Sequence, residues 1–447
     1  MSDHPIMSKS SVIYRQTNYQ YRMAKSSANV YITDENNNQY LDMSGGAAVC
    51  SVGHDHDLVK KRISEQLEQL AFAHTSFFTH APQEELASRI TDLFHEPGAK
   101  AYFSSGGSEA NETALKLAWQ YWQSLGRDSK KIVISREFSY HGNTFGTLGV
   151  SGNQARRDRS AMPLLDWPRI EPYYPLRFKD PSESDEAYAF RAAEQLTLAI
   201  NEVGPENVAA FIYEPVVGSS LGVVSADHGY LERIRAICDN YEILLISDEI
   251  MCGSGRTGTW YAHAQHNIVA DITTLAKSIA GGYQPLAATV AREHIAKQLE
   301  SSGFAHGHTY LGHPLACAAG CGVLDAIEAD DLFNRVPQMG EQFMNALNNT
   351  FADHPNIAEI RGRGLFMGIE LVADRDSLLG FQTFALEHKL RELALQSGLI
   401  CYPGEIIWEE TCVPHIILAP PFIIEQRHID ECIEKLSTTL IQFFKRV

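Results

Sequence analysis

Three stretches of the sequence place reactive or charge-bearing residues where few competitors stand nearby. Lys277 lies in TLAKSIAGGYQPLAA (274–288) and is the only charged residue between Asp271 and Arg292. A lysine held among small and apolar neighbours has its ammonium form disfavoured, so its pKa falls and the amine becomes a usable nucleophile. Asp248, in SDEI (247–250), follows the uniformly apolar run ILLI. In an open parallel sheet, ligands gather beyond the carboxyl ends of the strands, so a carboxylate there faces a site rather than bulk solvent. In YFSSGGSEANETALKLA (102–118) a strand passes through Gly106 and Gly107 into a series of good helix formers. Such a junction offers free backbone N–H groups and the positive end of the helix dipole to a phosphate, with the Ser108 hydroxyl as a further donor.

Each feature alone also fits an ordinary structural job: a solvated lysine, an aspartate capping a loop, a capped helix. Together and in this order they supply a phosphate cradle, an acid that keeps a pyridine nitrogen protonated, and an isolated amine. Those are the parts that a pyridoxal 5'-phosphate (PLP) site requires.

The elements that must position these residues are legible as hydrophobic runs between turns. Short apolar segments at 101–104, 131–135, 209–213, 242–247, 272–275 and 287–291 alternate with helical patterns at 109–124, 188–202 and 228–241. That alternation predicts a mainly parallel sheet covered by helices. Upstream, 29–42 reads as two short strands around an Asn-rich turn, followed by the small-residue loop 44–56 and a helix over 57–70. The segment 153–185, rich in Pro, Arg and Asp, reads as a long irregular excursion of the kind that carries function. From about 315 the pattern changes to a long helix (315–329), strands near 364–371 and 415–418, and a closing helix at 427–445. The expected fold class is therefore α/β: a large domain over 61–314, and a smaller α+β domain built from both chain ends, 1–60 and 315–447.

Bulk properties narrow the function. The chain has 447 residues and a formal charge of −18, which argues against a nucleic-acid partner, because phosphate neutralisation needs clustered Lys and Arg. The eight cysteines are scattered without a CxxC pair, which favours reduced thiols and a cytoplasmic setting. Met1 to Tyr21 lacks the apolar core of a signal peptide, and no apolar run approaches a membrane span. His306, His308 and His313 invite a metal reading, but no acidic or thiolate ligand accompanies them, and no metal is expected.

From about residue 25 onward the sequence resembles the class III, ornithine and omega-amino-acid type, aminotransferases. The block running from SDEI through GRTG to TLAKSIAGGYQPL carries the resemblance. It implies a fold type I enzyme in which Lys277 holds PLP as a Schiff base, Asp248 partners the pyridine nitrogen, and Ile250 packs on the ring. Gly107 and Ser108 match the phosphate-binding pair, and Tyr140 of SYHG matches the aromatic that stacks on the cofactor, with His141 and Gly142 completing that motif. Glu214 of EPVVG matches a site glutamate of variable role. Thr309 matches the threonine that reaches the phosphate of the neighbouring subunit's cofactor, which implies a homodimer or a larger even assembly. The implied reaction is ping-pong transfer of an amino group from an amine or (omega-)amino acid to a keto acid such as pyruvate or 2-oxoglutarate. The same family includes epimerases, an aminomutase, a decarboxylase and phospho-lyases, and the cofactor motifs do not separate these.

The sequence also departs from the family. Met251 stands where many members have Gln, and Ala47 and Ala48 stand where amine-specific relatives carry bulk, which predicts a roomier pocket. In TCVPHIILAPPF (411–422) Cys412, Val413 and Pro414 occupy the neighbourhood of the mobile arginine that holds the substrate carboxylate in relatives, and no arginine lies between Arg391 and Arg427.

Overall fold

The strand Val208–Tyr213 shows how the molecule is layered. All six of its residues are buried, and because strand side chains alternate sides, Phe211 and Tyr213 join one core while Ala210 and Ile212 join another. The first core is closed by the helices Asp185–Val203 and Tyr230–Asn240, the second by Gly107–Ser124 and Glu293–Ser302. The same division recurs in Leu244–Asp248, where Leu245 faces the first core and Leu244 and Ile246 the second. An apolar strand buried on both faces needs helices on both sides, as the run ILLI predicts.

In the computed structural model, which describes residues 10–16 and 19–447, these strands belong to a seven-stranded sheet. Its order is Lys100–Ser104, Ala287–Ala291, Ile272–Leu275, Leu244–Asp248, Val208–Tyr213, Ile132–Arg136 and Arg169–Ile170. Ala287–Ala291 runs antiparallel to both neighbours and every other pairing is parallel. All six expected strands of the middle region are present, and the short Arg169–Ile170 strand adds an edge.

Two four-stranded sheets frame the large one. At the chain's start, Ala24–Ala28, Tyr31–Asp34 and Gln39–Asp42 pair antiparallel, one strand more than expected. Leu399–Ile400 then lies parallel to Gln39–Asp42, so both ends of the chain share one sheet. Ile357–Arg363, Phe366–Leu371, Thr411–Leu418 and Tyr402–Trp408 form an antiparallel sheet of four, backed by Leu332–Phe351 and Leu386–Gln396, on which the closing helix Gln426–Phe444 packs.

The excursion 153–185 is less irregular than expected. It contains the helix Gln154–Ser160, whose N-cap is Asn153, and the single turn Pro175–Phe178. Its far end is tied down by Glu370, which is fully buried and meets Arg177 at 2.5 Å, Arg361 at 2.8 Å and the Tyr174 hydroxyl. The two guanidiniums hold the Glu370 carboxyl below its usual range although burial alone would raise it.

Candidate functional site

At the carboxyl ends of the parallel strands lies a cavity of about 550 Å³, lined among others by Gly107, Ser108, Tyr140, Asp248, Ile250 and Lys277. His141, Gly142 and Glu214 also line it. Nine of the ten residues named from the sequence thus meet in one place, although they span positions 107 to 277.

The first wall is a helix start. Gly106 is the N-cap of Gly107–Ser124 and brings no side-chain cap, so the amides of the first turn have no side-chain acceptor. Gly107 is packed against Ile250: a Cβ there would come within 2.9 Å of the Ile250 side chain. Ser108 Oγ accepts from Asn143 N at 3.0 Å, joining the helix start to the SYHG loop. Gly142 has φ +143°, and a Cβ on it would press on Thr147 and on Ser108 Oγ at 2.8 Å, so only glycine closes this corner.

Asp248 ends its strand inside the cavity and is held from two sides. His141 Nδ1 lies 2.8 Å from Oδ2, Asn111 Nδ2 donates to the same oxygen at 2.7 Å, and Ile250 N donates to Oδ1 at 3.1 Å. Asn111 is itself oriented, because Thr274 Oγ1 donates to its Oδ1 at 2.8 Å and its Nδ2 also reaches the His141 carbonyl at 2.7 Å. Sequence reasoning missed Asn111. Its signal was its phase: it lies on the helix face of Ala110, Ala114 and Ala118, all fully buried, where a polar residue needs a partner.

Glu214 accepts Tyr140 N at 3.0 Å and Gly218 N at 3.1 Å. Burial pushes its carboxyl up, opposed by His141 and aided by the nearby Asp248 charge. Lys277 begins a 3₁₀ turn, Lys277–Ala280, with φ +50°, a left-handed conformation that non-glycine residues adopt at a cost. Burial lowers its amine to about 8; Asp248 and Glu214 oppose that shift, while Arg156 and Arg256 add to it. The amine is therefore partly free base near neutral pH, the form that attacks a carbonyl or takes a proton.

Thr309 is the one predicted residue outside the cavity. It is exposed and lines a separate hollow with His74, Tyr102, His306 and His308. His306 meets Thr113 Oγ1 at 2.9 Å, and His313 Nδ1 caps Pro314–Ala329 by accepting Leu315 N. Among the described residues, ligand atoms of Asp42, Cys50 and His54 come within 4.8 Å of one another. His54, however, turns Nε2 to Asp42 at 3.1 Å and Nδ1 to Cys50 at 3.7 Å, opposite ends of one ring.

The substrate side departs from expectation in a useful way. Ala47 and Met251 line the cavity, whereas Ala48 is buried behind it, its carbonyl accepting from Ser278 Oγ. Cys412 faces Glu405 at 3.3 Å and does not line the cavity. The arginines that do line it, Arg15 and Arg156, were not among the candidates.

Residues 13–440 match the family described as aminotransferase class-III. The chain belongs to the class III aminotransferases. It is accordingly a PLP-dependent enzyme of fold type I. Among similar class III proteins is an uncharacterized aminotransferase of Schizosaccharomyces pombe, 36% identical over 97% of this chain and 95% of that protein. A putrescine–pyruvate aminotransferase of Pseudomonas aeruginosa is 33% identical over 94% and 91%. An omega transaminase of Pseudomonas jessenii, solved in complex with PMP, superposes with a TM-score of 0.90 at 30% identity, covering 98% of this chain and 97% of that one.

Proposed function

We propose that this class III aminotransferase moves an amino group from an amine or omega-amino acid donor to a keto acid such as pyruvate or 2-oxoglutarate in a ping-pong cycle centred on Lys277. The observation that carries the reading is the meeting of Lys277, Asp248 and the Gly107 helix start in one cavity. The chemistry of the donor set fits PLP. The open first-turn amides and Ser108 suit a phosphate, and Asp248, fixed by His141 and Asn111, suits a pyridinium nitrogen. Tyr140 and Ile250 supply an aromatic and an apolar wall for a flat ring. When bound, PLP supplies an electron sink for charge developing on the substrate carbon.

The protein's own work is binding and proton handling. Gly107, Ser108 and Gly142 shape the anion end of the cavity, and His141 keeps Asp248 aimed. Lys277 Nζ, with its lowered pKa, would take the proton from the amine-bearing carbon of the donor and pass it to C4′ of the cofactor, and would run the same transfer in reverse in the second half of the cycle. Glu214, held by the Tyr140 and Gly218 amides, fixes the Tyr140 backbone beside the ring site.

The reading extends to assembly, location and domains. A homodimer or larger even oligomer, with Thr309 serving the neighbouring subunit's cofactor, is supported by Thr309 lying exposed next to Tyr310, 61% exposed, in a hollow that His74, Thr75 and Ser76 also line, the chain running on from there into Phe77 and Phe78, 79% and 66% exposed. Eight unpaired cysteines support a cytoplasmic setting; among the described residues no helix is long and apolar enough to cross a membrane. The shared sheet of Gln39–Asp42 and Leu399–Ile400 supports a small domain drawn from 1–60 and 315–447 around a large one at 61–314.

The test is purified protein loaded with PLP and offered a panel of amines with pyruvate. The expected result is a visible absorption band that shifts on adding donor, with alanine formed. Lys277→Ala loses borohydride-stable attachment of the cofactor and the turnover. Trapping in the wild type rises with pH through about 8. Racemised or decarboxylated donor without alanine would overturn amino transfer in favour of an epimerase or decarboxylase.

A further inference from the structure

A keto acid that enters this cavity must give up part of the hydration of its carboxylate, and that is costly unless a cation with matching hydrogen bonds receives it. The strand Thr411–Leu418 offers no such group, since Cys412 is turned to Glu405. Arg136 and Arg256, the fully buried arginines nearby, donate to the carbonyls of Glu214 and of Leu365 and Pro420. Lys277 is committed to the chemistry. Two cations on the cavity wall remain, Arg15 and Arg156, and among the described residues neither is in an ion pair.

Arg156 is the better placed of the two. Its helix Gln154–Ser160 is capped by Asn153, whose Oδ1 accepts Arg156 N at 3.1 Å and whose Nδ2 donates to Ser220 Oγ at 3.2 Å. The next residue, Arg157, faces the other way: it donates to the carbonyls of Leu148, Gly149 and Ser151 and pairs with Asp166. Arg157 therefore fastens the helix to the protein, and the helical turn of about 100° per residue sends Arg156 inward. There its Cζ stands 4.2 Å from the centroid of the Tyr140 ring. Stacking on an aromatic face restricts a guanidinium while leaving its N–H edge free for a planar, two-pronged acceptor. Arg15 has no such contact; both arginines are exposed, and the ring contact is what sets Arg156 apart.

We infer that Arg156 is the specificity-determining residue that binds the carboxylate of the keto acid acceptor, and of the amino acid that acceptor becomes, in place of an arginine from the C-terminal sheet. The inference rests on the amino-transfer reading for the identity of the ligand, while the geometry of Arg156 stands independently of it. A donor amine without a carboxylate makes no use of Arg156, so the residue separates the two half-reactions.

The experiment uses PLP-loaded wild type, Arg156→Ala, Arg156→Lys and Arg15→Ala. Propionate and glutarate, unreactive counterparts of the two keto acids, are titrated into each by calorimetry, and both half-reactions are then timed separately. Removing one charge-assisted, two-pronged contact is expected to weaken carboxylate binding and raise the keto acid KM by roughly tenfold to a hundredfold. The loss in kcat/KM for pyruvate is expected to exceed that for a carboxylate-free amine at least about tenfold, and Arg156→Lys to recover part of it. Equal losses in both half-reactions would overturn the inference, because they would mean that Arg156 acts only by supporting Tyr140. Weakened binding in Arg15→Ala with none in Arg156→Ala would overturn it as well. If the wild type formed no amino acid from any pair, amino transfer would fall, and the propionate titration would still decide whether Arg156 is the carboxylate site.

Discussion

A carboxylate that must meet one ring nitrogen needs more than its own backbone to aim it. Asp248 receives His141 and Asn111 on Oδ2 and the Ile250 amide on Oδ1, so rotation about its Cβ–Cγ bond would break hydrogen bonds on both oxygens. Asn111→Ala removes one of these donors and also strips the Thr274 hydroxyl of its acceptor. A hydrogen bond to a charged group contributes about 1.5–3 kcal/mol, so kcat is expected to fall by roughly tenfold to a hundredfold and the cofactor's visible band to shift. Unchanged kcat with an unshifted band would show that His141 suffices. Asn111 acts through Asp248 and is a positioning residue. Lys277 and Asp248 were legible in the sequence because each stands out against an apolar background, and the catalytic need is for that contrast itself. Asn111 was not, because its partners arrive from two other strands and a loop. Arg156 is one of three arginines in four residues, and only the packing of that helix on residues 148–151 decides which one faces inward.

Elements position those residues, and the loop 44–56 is the least regular of them. Its anchor is Asp42, fully buried, which accepts Ser44 N and Ser44 Oγ on Oδ1 and holds the partly buried His54 through Oδ2. Burial would lower the His54 imidazole, but the hydrogen bonds to Asp42 and Cys50 outweigh it and lift the group to about 10. A folded pKa above the unfolded value means that the pair's stabilisation is complete below about pH 6.5 and is lost as pH rises through about 10. Removing His54 leaves the fully buried Asp42 carboxylate without that partner, so His54→Ala is expected to unfold at lower urea. The wild type should lose stability between about pH 6.5 and 10 in excess of any loss in His54→Ala; parallel pH profiles would refute the assignment. The site-bearing strands were readable because parallel strands buried on both faces appear as plain apolar runs. The helix Gln154–Ser160 was not, since none of its residues is buried and it shows no hydrophobic period. The strand Ala24–Ala28, exposed at all five positions, likewise carries no alternation to read.

At the scale of the whole molecule, the cavity of one chain collects every proposed cofactor contact except Thr309. That residue sits on a surface where Phe72 meets Tyr310 at 6.0 Å between ring centroids and Phe77 and Phe78 stand exposed. Exposed aromatics clustered together mark association surfaces more often than free ones. In the proposed dimer a two-fold interface would repeat each contact, so a Thr309 outside its own cavity would complete its partner's. Thr309 was readable through its motif, which the resemblance assigned to the neighbouring subunit's cofactor; in the structure it lies outside its own chain's cavity. If the proposed dimer forms, cofactor retention and association are linked: whatever binds only the dimer also stabilises it. Dilution of the loaded protein is therefore expected to release PLP along with dissociation, with sedimentation and absorbance changing over the same concentration range. Thr309→Ala, which removes a hydroxyl but none of the aromatics, is expected to weaken PLP binding by about tenfold, the loss of roughly one hydrogen bond to an anion, while sedimentation still reports the dimer. A variant that holds PLP as tightly as the wild type would detach Thr309 from the phosphate, and a monomer that retains PLP on dilution would remove the link between assembly and cofactor altogether.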